Sequence, residues 1–131
     1  MKALTIAGKI IAVLIAILGI IHVGATFSPM IGGGLGCLDA GMYDAMIYMS
    51  LMCGTLLILC GLLLFLMLGK MQEIPYMKKL SLIVSIFSNI NGVLSVIYMY
   101  DNPFAWAVFV LGLAMFVVVL LLRNKNLKQN N

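Results

Sequence analysis

The stretch that decides the fold is Leu80 to Tyr100, LSLIVSIFSNINGVLSVIYMY. It is long enough and apolar enough for one bilayer crossing, which needs about 20 such residues. Yet it carries Ser81, Ser85, Ser88, Asn89, Asn91, Gly92 and Ser95. The small residues Ser81, Ser85, Ser88, Gly92 and Ser95 repeat at spacings of 4, 3, 4 and 3, so they form one narrow stripe along a helix. Between helices in lipid there is no hydrophobic drive, and close approach at small residues does much of the work of association. This pattern predicts a transmembrane helix buried among neighbouring helices.

Working outward, three more runs of the same kind appear. Charged residues leave long gaps at Ile10 to Leu38, Ala45 to Gly69, Leu80 to Tyr100 and Asn102 to Leu122. Of 131 residues, 64% are hydrophobic and 9% charged. The mean hydropathy of +1.19 is far above what a soluble core of this size can hide. No alternating pattern suggests strands, and four strands could not close a barrel in lipid. The expected fold is all-α, an integral-membrane antiparallel four-helix bundle in a single domain, residues 1–131. Its helices are expected at about 3–27, 40–68, 75–100 and 103–122, with a solvated tail at 123–131.

The charges set the expected orientation. Lys2 and Lys9 precede the first run, Lys70, Lys78 and Lys79 lie between the second and third, and Arg123, Lys125 and Lys128 follow the fourth. Asp39, Asp44 and Asp101 fall on the opposite side, and Glu73 alone joins the basic one. The positive-inside rule then places both termini in the cytoplasm of a bacterium with the chain in its inner membrane. The net charge of +4 sits in short flanks without interleaved aromatics, which suits anionic headgroups and calls for no nucleic-acid partner.

Local signals mark the ends of the runs. Pro29 stops the first, whose small residues Ala12, Ala16 and Gly19 share a face. Ser28 to Asp44 holds Gly32, Gly33, Gly34, Gly36 and Gly41 and reads as a mobile outer connector. Asp39 is placed to cap the second helix and Gly69 to close it, while Ser50, Gly54 and Gly61 supply that helix with a small-residue stripe. Pro75 opens the third helix, and Asn102 with Pro103 opens the fourth. The fourth run is the least polar and is expected to face most lipid. Tyr43, Tyr48, Tyr98, Tyr100 and Trp106 gather towards the outer side as an aromatic belt.

Few residues offer chemistry. His22 is the sole histidine and falls in the outer third of the first span, where an ionisable group is either functional or held neutral by a nearby acceptor. Asn89 and Asn91 lie near the middle of the third span and need partners there, as interhelical bonds or as the wall of a polar cavity. His22, Ser50, Asn89, Asn91 and Tyr98 together form the candidate polar intramembrane site. Met42, Met46, Met49 and Cys53 share a face of the second helix, a stripe of soft ligands that suits Cu(I), although methionine is also an ordinary apolar filler.

Other classes find no support. No carboxylate pair lies inside a span for proton-coupled exchange or hydrolysis, and no CxxC is present. One histidine cannot supply bis-His haem ligation within the chain. Cys53 and Cys60 sit about 10 Å apart along one helix, beyond disulfide reach. A Ser50–His22 dyad stays open, without a motif behind it. No cofactor is called for.

In its length, the late His22 of the first helix, the long glycine-containing outer loop and the layout with both termini inside, the chain resembles the DoxX-like group of small four-helix bacterial membrane proteins. The likeness covers the whole chain at the level of architecture. No motif carries a site residue across. The expected function is therefore non-enzymatic, a small polytopic protein binding or stabilising a lipid, a membrane-protein partner or its own copies in the bilayer. The alternative is a small-solute or ion carrier using the polar site, and a metal- or redox-handling protein is the third choice.

Overall fold

The computed structural model describes residues 2–29, 35–71 and 73–127. Four long helices make up the structure: α1 (Lys2–Thr26), α2 (Ala40–Lys70), α3 (Pro75–Tyr98) and α4 (Pro103–Leu127). Each is long and apolar enough to cross a membrane. Gly32, Gly33, Gly34 and the last residues of the tail, from Lys128 on, lie outside the described residues.

The helix ends follow from local chemistry. The Asp39 carboxylate accepts the Met42 amide at 2.8 Å, the N-cap bond that satisfies one orphan donor of α2. Asn102 Oδ1 accepts the Phe104 amide at 2.9 Å, and Pro103 follows it with a φ already suited to a first helical turn. The Trp106 indole donates to Tyr100 O at 2.8 Å and closes the α3–α4 turn. Pro75 begins α3 as expected. Two boundaries differ. α2 runs through Gly69 to Lys70, with Met71 at its end in right-handed conformation, so no glycine stop is used. α4 continues past Arg123 to Leu127 because nothing in that stretch breaks a helix.

Contacts show the relative direction of neighbouring helices. Gly8 meets Leu68 and Gly19 meets Gly54, so α1 and α2 run antiparallel. Gly92 meets Phe109 and Gly112 meets Ser88, which sets α3 against α4 in the same sense. Gly8 also touches Val118, and His22 stacks on Phe104, tying α1 to α4. The helices form a ring in chain order, each touching two neighbours, and the diagonal pairs do not meet. Among the described residues, Lys2, Lys9, Lys70, Lys78, Lys79 and Arg123 therefore gather at one end of the bundle and Asp39, Asp44 and Asp101 at the other.

The five buried residues of α3 are Ser81, Ser85, Ser88, Gly92 and Ser95, the stripe read from the sequence. Yet α3 is not enclosed by the others. In its most apolar stretch 28% of residues are buried, against 39% for α2 and α4. A ring of four has no central member, and small residues draw α3 tightly onto α4 without surrounding it. The expectation that α4 faces most of the surroundings fails for the same reason. Ala105, Val108, Met115, Val119 and Leu122 from α4 join Ile15, Leu57, Leu64 and Leu68 in the apolar core.

Candidate functional site

The stripes of small residues decide where the bundle is tight and where it is open. A Cβ on Gly61 would lie 2.6 Å from Ala12 O, and one on Gly19 would lie 2.7 Å from Gly54 O. α1 and α2 are thus in backbone contact. A Cβ on Gly92 would lie 2.6 Å from Phe109 Cα, so α3 and α4 are equally close. Each stripe serves one neighbour. The stripe of α2 is turned to α1 and that of α3 to α4, and the face between α2 and α3 is left to large side chains.

There the helices stand apart. A groove of about 380 Å³ opens between them, lined by Tyr48, Met49, Met52, Cys53, Leu56, Phe87, Ile90, Asn91 and Leu94. It is the cleft between two closed hairpins, α1–α2 and α3–α4. On its walls Cys53 and Asn91 make a long thiol bond, Cys53 Sγ to Asn91 Oδ1 at 3.9 Å.

A second polar group ties the α1–α2 hairpin at the acidic end. Thr26 Oγ1 donates to His22 O at 2.9 Å. Ser50 Oγ lies 2.7 Å from Thr26 Oγ1 and 3.2 Å from His22 Nε2. A hydroxyl has one proton, and that of Thr26 is committed to the carbonyl. Ser50 must then donate to Thr26, and His22 Nε2–H must donate to Ser50. Tautomers are assigned by such networks rather than seen. The assignment has a chemical consequence: His22 gives a proton to Ser50 Oγ instead of accepting one, the reverse of a base activating a nucleophile. The Ser50–His22 dyad has the distance but not the polarity. Stacking of the imidazole on Phe104, with ring centroids 5.0 Å apart, completes the clamp across three helices.

The five residues of the expected polar site are thus divided. His22 and Ser50 meet, as the sequence reading supposed, with Thr26 as an unforeseen third member. Asn91 faces the groove instead. Asn89 packs its backbone against Gly112 of α4, and its Oδ1 is buried without a partner. Tyr98 is 81% exposed on the outside. Thr26 lies one turn beyond His22, so helical spacing offered a signal for it. Phe104 comes from a different helix and offered none.

Ser81 donates to Met71 Sδ at the end of α2 at 3.8 Å, whereas Ser85 and Ser95 serve the packing by being small rather than by bridging helices. Ser85 donates to Leu82 O at 2.9 Å and Ser95 to Asn91 O at 2.9 Å, both within α3. Of the sulfur stripe, Met42, Met46 and Met49 are all exposed, and Met49 and Cys53 line the open groove together with Met52. Among the described residues no cluster of His, Cys, Asp or Glu is arranged to hold a metal ion.

The described residues form a four-helix bundle of membrane-crossing length with an open groove between α2 and α3. No protein-family model matches the chain, and no curated protein or solved structure is significantly similar to it.

Proposed function

We propose that this is a non-enzymatic, multi-pass protein of the bacterial cytoplasmic membrane, both termini cytoplasmic, which binds a membrane component along the α2–α3 groove. The observation that carries the reading is the contrast between two glycine-closed hairpins and the open apolar cleft between them. Van der Waals packing is what associates apolar groups in lipid, and an unfilled cleft forfeits it. A guest restores it, either a lipid chain or a segment of a partner protein. Kinship with the DoxX-like group is part of the same proposal and rests on outline alone. The carrier alternative needs a shared polar cavity, and His22, Asn89 and Asn91 lie at three different seams.

Orientation is tested with single cysteines in a background with Cys37→Ser, Cys53→Ser and Cys60→Ser. Asp101→Cys is expected to react with an impermeant maleimide on intact cells, and Glu73→Cys only after permeabilisation. The reverse pattern overturns the topology. For binding, a photoreactive phenylalanine replaces Phe87 in the groove and, as control, Leu113 on the outer face of α4. A discrete adduct at position 87 and none at 113 supports the reading. Native mass spectrometry should also show a retained lipid or partner that is lost in Leu56→Trp, which fills the cleft. Identical adducts at both positions and no retained species would refute it.

A further inference from the structure

Met49, Met52 and Cys53 stand at positions i, i+3 and i+4 of α2, so their side chains leave one face within a single turn. All three line the same groove. Two thioethers and a thiol on one groove wall supply a soft donor set, and soft sulfur ligands select Cu(I) over the harder divalent ions. Across the groove stands Asn91; among the described residues its amide nitrogen makes no hydrogen bond, and its side-chain oxygen accepts the long one from Cys53.

We propose that the α2–α3 groove is a Cu(I) site, with Met49 Sδ, Met52 Sδ and Cys53 Sγ as ligands and the Asn91 amide as donor to the thiolate. Binding replaces the Cys53 S–H bond with an S–Cu bond and releases one proton, with no change of oxidation state. The product is electrically neutral, since one thiolate balances one Cu(I). That matters within an apolar span, where an uncompensated charge is costly. Zn²⁺ on the same three ligands would leave a net positive charge and is disfavoured. Once the thiol has lost its proton, Asn91 no longer receives a bond from it. Rotation of the amide then brings N–H to the sulfur, the outer-shell support that metal ligands commonly have.

An entry route lies on the same helix. Met42 and Met46 precede Met49 at spacings of 4 and 3, and both are exposed. Ser50 sits opposite the last residue of α1, so Ala40–Met49 projects about 15 Å beyond the end of that helix. The exposed thioethers descend from this projection to the groove. The stripe read from the sequence thus acts as an approach, and the site itself takes Met52 in addition. This inference shares the groove with the proposed binding role but does not depend on which membrane component covers it.

The test uses the full chain in detergent with Cys37→Ser and Cys60→Ser, leaving Cys53 as the one thiol. Cu(I) is titrated anaerobically against a chromophoric Cu(I) chelator, with circular dichroism as the check on folding. One Cu(I) per chain is expected, with a sulfur-only shell by X-ray absorption. Cys53→Ser and Met52→Leu should each weaken binding at least about 10-fold, and Asn91→Leu about 10-fold, the usual range for outer-shell partners. Met115→Leu, in the core, should change nothing. Absence of stoichiometric Cu(I), or binding indifferent to Cys53→Ser in a folded chain, overturns the proposal. If that happens while the adduct at position 87 persists, the metal site falls and the membrane-component reading stands.

Discussion

Replacing Gly61 by alanine adds one methyl group at the tightest point between α1 and α2. The new Cβ would sit 2.6 Å from Ala12 O, 2.7 Å from Ala16 N and 2.9 Å from Ala16 Cβ. Ordinary contact begins near 3.4 Å, so the helices must part by 3.4 − 2.6 = 0.8 Å at this level. Two of the three atoms are backbone and cannot rotate away. Overpacking of this kind costs about 3 kcal/mol at the upper end of its usual range. A gap of that size also removes a quarter to a half of the dispersion energy of neighbouring contacts, by a rough reckoning. Alanine recovers about 1 kcal/mol through its higher helix propensity. The net expectation is a loss of about 2 kcal/mol. Gly24→Ala is the internal control, because no atom lies within 4 Å of the added methyl. It should be neutral or gain up to about 1 kcal/mol. Reversible unfolding by SDS in mixed micelles measures both. A Gly61→Ala protein as stable as the parent, or a Gly24→Ala protein that loses as much, would refute the close-packed seam.

Gly92→Leu should be more damaging, because its side chain must enter space held by Phe109 Cα and Val108 O; unchanged expression and thermal stability would contradict the α3–α4 packing. Ser50→Ala removes the centre of the His22–Ser50–Thr26 chain and should cost about 0.6 to 1.7 kcal/mol, the span measured for bonds between membrane helices. The same network predicts a proton on His22 Nε2, and a nitrogen spectrum showing Nε2 as the bare ring nitrogen would contradict it. Asp39→Ala should lose about 1 kcal/mol and Asp39→Asn most of that loss should recover, since asparagine caps equally well; equal stability of all three proteins would remove the cap from the account.

Much of the fold was legible because lipid imposes length. The charge-free runs Ile10 to Leu38, Ala45 to Gly69, Leu80 to Tyr100 and Asn102 to Leu122 each hold a helix of membrane-crossing length, and three of the helix starts were written in Asp39, Pro75 and Asn102. The small-residue faces of α1, α2 and α3 were legible too, since spacing alone assigns residues to a face. Spacing does not say which face meets which helix. It took the packed structure to turn the stripe of α2 towards α1 and that of α3 towards α4. His22 and Asn91 looked like members of one site in sequence, but they stand on faces turned to different neighbours.

The sequence by itself determined the four long helices, the starts that Asp39, Pro75 and Asn102 mark, and the placing of basic residues in alternate flanks, because these depend on hydrophobic length and local capping. Only the tertiary structure decided the rest. A seam closes where small residues oppose each other and stays open where large ones do. Glycines set against a neighbour's backbone shut the two hairpins, Gly19 on Gly54 and Gly61 on Ala12 in one, Gly92 on Phe109 and Gly112 on Ser88 in the other, whereas the large Met49, Met52 and Phe87 side chains line the groove between them.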